Sequence, residues 1–142
     1  MEFSSVNILY PVLAMFALTA FCLFRLARLR FVAVRHGEID PKFFRLYRDG
    51  DEPPTLRVHA RHLTNLFEAP VLFYVIVIIA FVTRQTGVLP LGLAWAYVIL
   101  RYAHSYIHLT SNRVMTRFRI FALSWLVLVV LWLVVFAGMS IL

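Results

Sequence analysis

Acidic side chains almost disappear from this chain after Glu52. Over the remaining residues Glu68 is the only carboxylate. It sits near the start of a membrane-length apolar run, where an ionisable group is costly and marks a functional site by default. Cysteine is nearly absent as well. Cys22 alone excludes a disulfide framework within the chain and leaves packing as the role of its thiol. Charge of either sign is scarce: 15% of residues are charged against 62% hydrophobic and 15% aromatic, with a mean hydropathy of +0.82. A soluble domain rarely carries that much apolar surface, and no polar stretch is large enough to form a separate one. Repeats and low-complexity regions are missing. No basic residue precedes the first apolar run, which argues for a retained helix over a cleaved signal peptide.

What the chain does have is four apolar runs, at residues 6–24, 66–82, 88–109 and 120–142. Each approaches the roughly 20 residues that span a bilayer. Lipid offers the backbone no partners, so helices follow. The expectation is an all-α membrane protein, a single domain over 1–142. It is a four-transmembrane-helix bundle with helices at about 6–30, 55–83, 88–110 and 115–141. Between the first two helices, 36–41 and 49–54 read as turns. The aromatic-basic stretch 42–48 between them reads as an amphipathic piece on the membrane surface.

The net charge is +7. Arginines and Lys42 crowd the connection between the first and second helices, and Arg113, Arg117 and Arg119 lie between the third and fourth. The positive-inside rule places both connections in the cytoplasm and both termini outside it. An integral, multi-pass protein of a bacterial inner membrane or an equivalent bilayer is expected. Arg25, Arg35, Lys42, Arg45 and Arg48 serve topology and lipid head-group contact. Nucleic acid is excluded as a partner, because there is no exposed basic domain.

Two polar stripes interrupt the apolar pattern. Arg61, Asn65 and Glu68 fall at i, i+4 and i+7 on the second helix, with Pro70 removing a backbone N–H one turn on. They read either as a polar clamp between helices or as a site for a zwitterionic ligand: the acid takes an ammonium group, the amide donates and accepts, and the arginine forks onto a carboxylate. On the third helix Arg101, His104 and His108 fall at i, i+3 and i+7, with Ser105 on the same face. A buried arginine needs a partner, and an Arg101–Glu68 contact is expected. Arg113 and Arg117 share a face at the start of the fourth helix, suited to membrane anchoring or to an anion such as a thiolate. His104 and His108, with His59 and His62, resemble fragments of a histidine-box di-iron site or a haem ligand pair. Five histidines without a carboxylate box are too few for the former, and no metal is expected.

The Arg61-x-x-x-Asn65-x-x-Glu68-x-Pro70 stretch resembles the MAPEG superfamily, the membrane-associated proteins in eicosanoid and glutathione metabolism. So does Arg101-Tyr102-Ala103-His104, followed by a basic loop and Arg117. The likeness covers essentially the whole chain. It implies a homotrimer of four-helix protomers that binds glutathione between subunits, near the cytoplasmic side. Arg61, Asn65 and Glu68 would then hold the tripeptide, with Glu68 on its α-amino group. Arg101, His104 and His108 would complete the pocket, and Arg117 would stabilise the thiolate. Arg28 or Arg30 matches a further glutathione-contacting arginine, and Arg30 is taken as the candidate. The implied activity is that of a glutathione-dependent transferase or peroxidase acting on lipophilic electrophiles, with glutathione as cosubstrate. The chain departs from the family pattern where hydroxyl groups are expected: His108, Phe118 and Phe121 stand there instead. Those departures carry the alternative, a non-catalytic membrane scaffold or accessory subunit.

Overall fold

A computed structural model describes residues 5–47 and 52–139. Its elements are helices, with no strand among the described residues. A 3-10 turn over Ser5–Leu9 leads into α1, Tyr10–Arg35. A single turn, α2 (Phe43–Leu46), lies in the first connection. Then come α3 (Pro54–Val82), α4 (Val88–Leu109) and α5 (Val114–Met139). Residues 49–51 of the expected second turn, and 140–142 at the end of the fourth apolar run, lie outside the described residues.

The ends of the long helices have local causes. Pro11 and Pro54 stand in the first turns of α1 and α3, where the missing N–H costs nothing. α1 runs past residue 30 because Phe31 to Val34 continue its apolar pattern. It stops where Gly37 takes a left-handed φ of 73°. The Gly37 N–H then bonds the Val34 carbonyl and the Glu38 N–H bonds that of Ala33, a Schellman closure. α3 closes in the same way at Arg84, a non-glycine at φ 59°. Pro70 sits buried inside α3 and deprives the Leu66 carbonyl of its usual donor.

Each long helix turns one stripe inward. Met15, Leu18 and Cys22 of α1 meet Phe73, Ile76 and Val77 of α3. Ala94, Tyr97 and Val98 of α4 and Leu128, Leu131 and Val135 of α5 complete the same core. Phe73 and Tyr97 stack with centroids 4.6 Å apart. The Tyr102 hydroxyl donates to the Ala14 carbonyl at 2.8 Å and ties α4 to α1. A smaller cluster of Leu26, Ala33, Ile39, Phe43 and Leu56 packs the first connection against α1 and α3. Outward-facing positions hold large apolar groups such as Phe16, Phe24, Ile78, Ile99 and Leu133. That surface suits lipid or another protein face, not water.

Among the described residues, three helical segments are long and apolar enough to cross a membrane: Ser5–Arg35, Pro54–Val82 and Val114–Met139. α4, the third of the four expected crossings, stands apart from the other three, because its buried stripe changes character along its length. Ala94, Tyr97 and Val98 give way to Arg101, His104, Ser105 and His108, all buried. One end of the bundle therefore has an apolar core and the other a polar one.

Phe73→Ala should open a cavity that neither lipid nor side-chain movement fills. The expected loss is about 3–5 kcal/mol, against under about 1.5 for the better-filling Phe73→Leu. Reversible denaturation in detergent measures both. Equal, small losses would mean that Phe73 is not a core residue.

Candidate functional site

The polar end of the bundle opens into a cleft of about 370 Å³, lined by Arg61, Asn65 and Glu68 of α3, His104 and His108 of α4, and Val114, Arg117, Phe118 and Phe121 around α5. Helical spacing puts the α3 trio on one stripe. The antiparallel run of α4 beside α3 brings its last two turns to the same level. The wall formed by Val114, Phe118 and Phe121 is apolar, and the opposite wall is polar.

Arg101 stands behind this cleft with no exposed surface. Its Nη2 donates a short hydrogen bond to the Asn65 side-chain oxygen. The guanidinium also lies over the Phe121 ring, 5.7 Å from the centroid. Nε and Nη1 are buried without partners. The expected contact with Glu68 is not made: the ion pair within 4.0 Å among the described residues is Arg30–Glu52, at 3.8 Å. The reason is rotational. Glu68 lies three residues from Asn65, about 60° around the helix, so Asn65 faces α4 while Glu68 stays exposed on the rim of the cleft.

Arg117 is held by the turn before it. Asn112 adopts a left-handed φ of 46°, which asparagine tolerates, and its N–H closes α4 on the Ile107 carbonyl. Its side-chain oxygen accepts from Arg117 Nη1 at 2.6 Å. The residue that ends α4 thus also aims the first arginine of the cleft's α5 wall. Arg113 and Arg119 do not line the cleft.

Arg30 is elsewhere in the protomer. It pairs with Glu52, covers the Phe44 ring at 5.2 Å, and lines a separate cavity of about 410 Å³ with Phe31, Pro41 and Tyr47. His59 is also engaged apart from the cleft: Nδ1 donates to the Thr55 carbonyl at 2.8 Å and Nε2 accepts from Arg25 at 3.1 Å. His62 is the neighbour not singled out by the polar stripes. It is fully buried, between His104 and His108. A signal existed, since His62 precedes Leu66 by four residues and so continues the inward stripe of α3.

A zwitterion fits such a cleft. Glu68 offers one negative charge, Arg61 and Arg117 offer positive ones, and Asn65 supplies an amide already oriented by Arg101. Asn65→Leu should leave the Arg101 charge without its acceptor and cost about 3 kcal/mol of stability. Asn65→Asp should retain the partnership. Denaturation midpoints of the two variants check this, and a shift under about 1 kcal/mol for the leucine variant would contradict the role given to Asn65.

No curated protein and no solved structure matches the chain with significance. A sequence model of the MAPEG family matches residues 8–137, which takes in α1, α3, α4, all but the last two residues of α5, and every cleft residue. That family covers glutathione-dependent enzymes and non-catalytic members. The chain belongs to the MAPEG family.

Proposed function

We propose that this protein is a glutathione-dependent membrane enzyme, a transferase or peroxidase acting on lipophilic electrophiles. The observation that carries the reading is that Glu68, Asn65, Arg61, His104, His108 and Arg117 line one cleft. In this reading Glu68 binds the α-amino group of glutathione. Arg61 takes a carboxylate in a fork, and Asn65 bonds the peptide backbone. Arg117 stands against the thiol and favours its anion, as a cation near sulfur does. The thiolate attacks an electrophile that arrives from the lipid along the Phe118 and Phe121 wall.

All four long helices cross the bilayer in this account, with α4 sheltered by its neighbours so that Arg101 never meets lipid. Both basic connections face the cytoplasm of a bacterial cell and both termini lie outside it. Three protomers assemble, and Arg30 of a neighbour reaches the cleft that its own protomer does not share. The exposed apolar residues of α1 and α5 supply lipid and subunit contact.

A second reading has its own motivation. Phe121 lies edge-on to His104 at 5.6 Å, where an oxygen-bearing side chain would serve chemistry better. A non-catalytic scaffold or accessory subunit would keep this cleft without turnover.

Arg117→Ala should abolish the ultraviolet thiolate band of bound glutathione and leave the oligomer intact. A thiolate favoured by about two pKa units corresponds to roughly 2.7 kcal/mol. An unchanged band would remove Arg117 from the mechanism. Glu68→Gln should weaken glutathione binding about thirtyfold in equilibrium dialysis, the loss of one charge-assisted bond of about 2 kcal/mol. Turnover of any aromatic or peroxide electrophile by the wild type, lost in Arg117→Ala, would decide against the scaffold.

A further inference from the structure

Three histidines stand against one another at the cleft, two of them in its wall. The His62 and His108 ring centroids are 4.9 Å apart, with the planes tilted by 40°. His104 lies 5.9 Å from His62 and 5.6 Å from His108, edge-on to both. His62 is fully buried, and neither of its ring nitrogens has a hydrogen-bond partner. The Nδ1 atoms of His104 and His108 are also buried without partners, although both rings line the cleft. Buried polar atoms are normally paired, so a cluster of orphaned imidazole nitrogens is more than packing. No group of three or more His, Cys, Asp or Glu among the described residues could hold a metal ion.

Forming a thiolate leaves a proton to be placed. Arg117 favours the anion but cannot take the proton, because a guanidinium stays protonated at any working pH. Arg61 is limited in the same way, and Glu68 is committed to the ligand's ammonium group. The remaining acceptors on the cleft wall are His104 and His108. His104 is edge-on to Phe121 beside the Arg101 guanidinium. His108 occupies the last turn of α4, next to the Asn112 that holds Arg117.

The geometry points to His108 as the base that removes the thiol proton of glutathione in this cleft, with the His62 ring packed against it from behind. This rests on the glutathione reading above. The S–H bond breaks and its electron pair stays on sulfur, beside Arg117. The proton forms an N–H bond with the lone pair of His108 Nε2 and then passes to water. The buried Nδ1 of His108 and both His62 nitrogens make no hydrogen bond, so His62 orients the His108 ring by direct contact between the two rings. His62 is a positioning residue in this scheme.

The test follows the rise of the thiolate band when the purified full-length protein is mixed rapidly with glutathione, with binding measured separately by equilibrium dialysis. His108→Ala should slow thiolate formation about a hundredfold or more, a much larger factor than any accompanying loss of glutathione affinity. Added imidazole should restore the rate. His108→Gln, which keeps a polar side chain of similar size, should be slow as well, and carries the test if the alanine variant does not fold. His62→Ala, which removes the ring contact, should be slowed without being restored by imidazole. A wild-type rate in either His108 variant overturns the inference, as does a slow His108→Ala that imidazole leaves slow. Absence of saturable glutathione binding to the wild type overturns the underlying reading and this inference together. Binding with an undiminished rate in the variants overturns this inference alone.

Discussion

Arg101 lies in the middle of α4 with no exposed surface, bonded through one nitrogen to the Asn65 oxygen and resting over the face of Phe121. Among the described residues, no carboxylate comes within ion-pair distance of it. Withdrawing a guanidinium from water costs several kcal/mol even after relaxation, and a neutral amide returns only part of that. An apolar residue at 101 would continue the core already built by Tyr97 and Val98. The cation is therefore not there for packing. It divides the bundle into an apolar end, which the long helices stabilise, and a polar end, which they merely enclose.

The polar end is assembled from short-range devices. Asn112 stops α4, starts the approach to α5 and bonds Arg117, three tasks for one left-handed residue. Asn65 turns toward Arg101, which leaves Glu68 on the rim of the cleft and free for a ligand. The first connection is folded separately, around Phe43 and Leu56, and holds Arg30 against Glu52. Arg61, Arg101 and Arg117 thus gather at the cleft, while Arg30 is attached to the loop. Family membership over residues 8–137 is consistent with that division, since the match covers both.

Much of this was legible in the sequence, and for identifiable reasons. Apolar runs of membrane length fixed the positions of the helices, because few other structures satisfy a backbone in lipid. The i, i+4, i+7 spacing placed Arg61, Asn65 and Glu68 on one stripe, and the cleft gathers all of them. The pairing within it was not legible. Periodicity gives a face but not which member of that face points at a neighbouring helix, so Glu68 was expected where Asn65 is found. As a single histidine, His62 is weak evidence by itself; its place on the inward stripe, four residues before Leu66, is the better guide. Arg30 sits where loop packing puts it, and nothing in the local spacing of α1 carries that information. The departure of α4 from an apolar crossing was visible in Arg101, His104 and His108 themselves.

The central claim is that a carboxylate, an amide and two arginines around one cleft grip a small zwitterionic thiol. Titration calorimetry of the purified protein tests it most directly, with glutathione compared against its analogue lacking the α-amino group. The account predicts saturable heat for glutathione and binding weakened at least tenfold for the analogue, since the ammonium that meets Glu68 is gone. Equal affinities, or no saturable heat with glutathione, would contradict it.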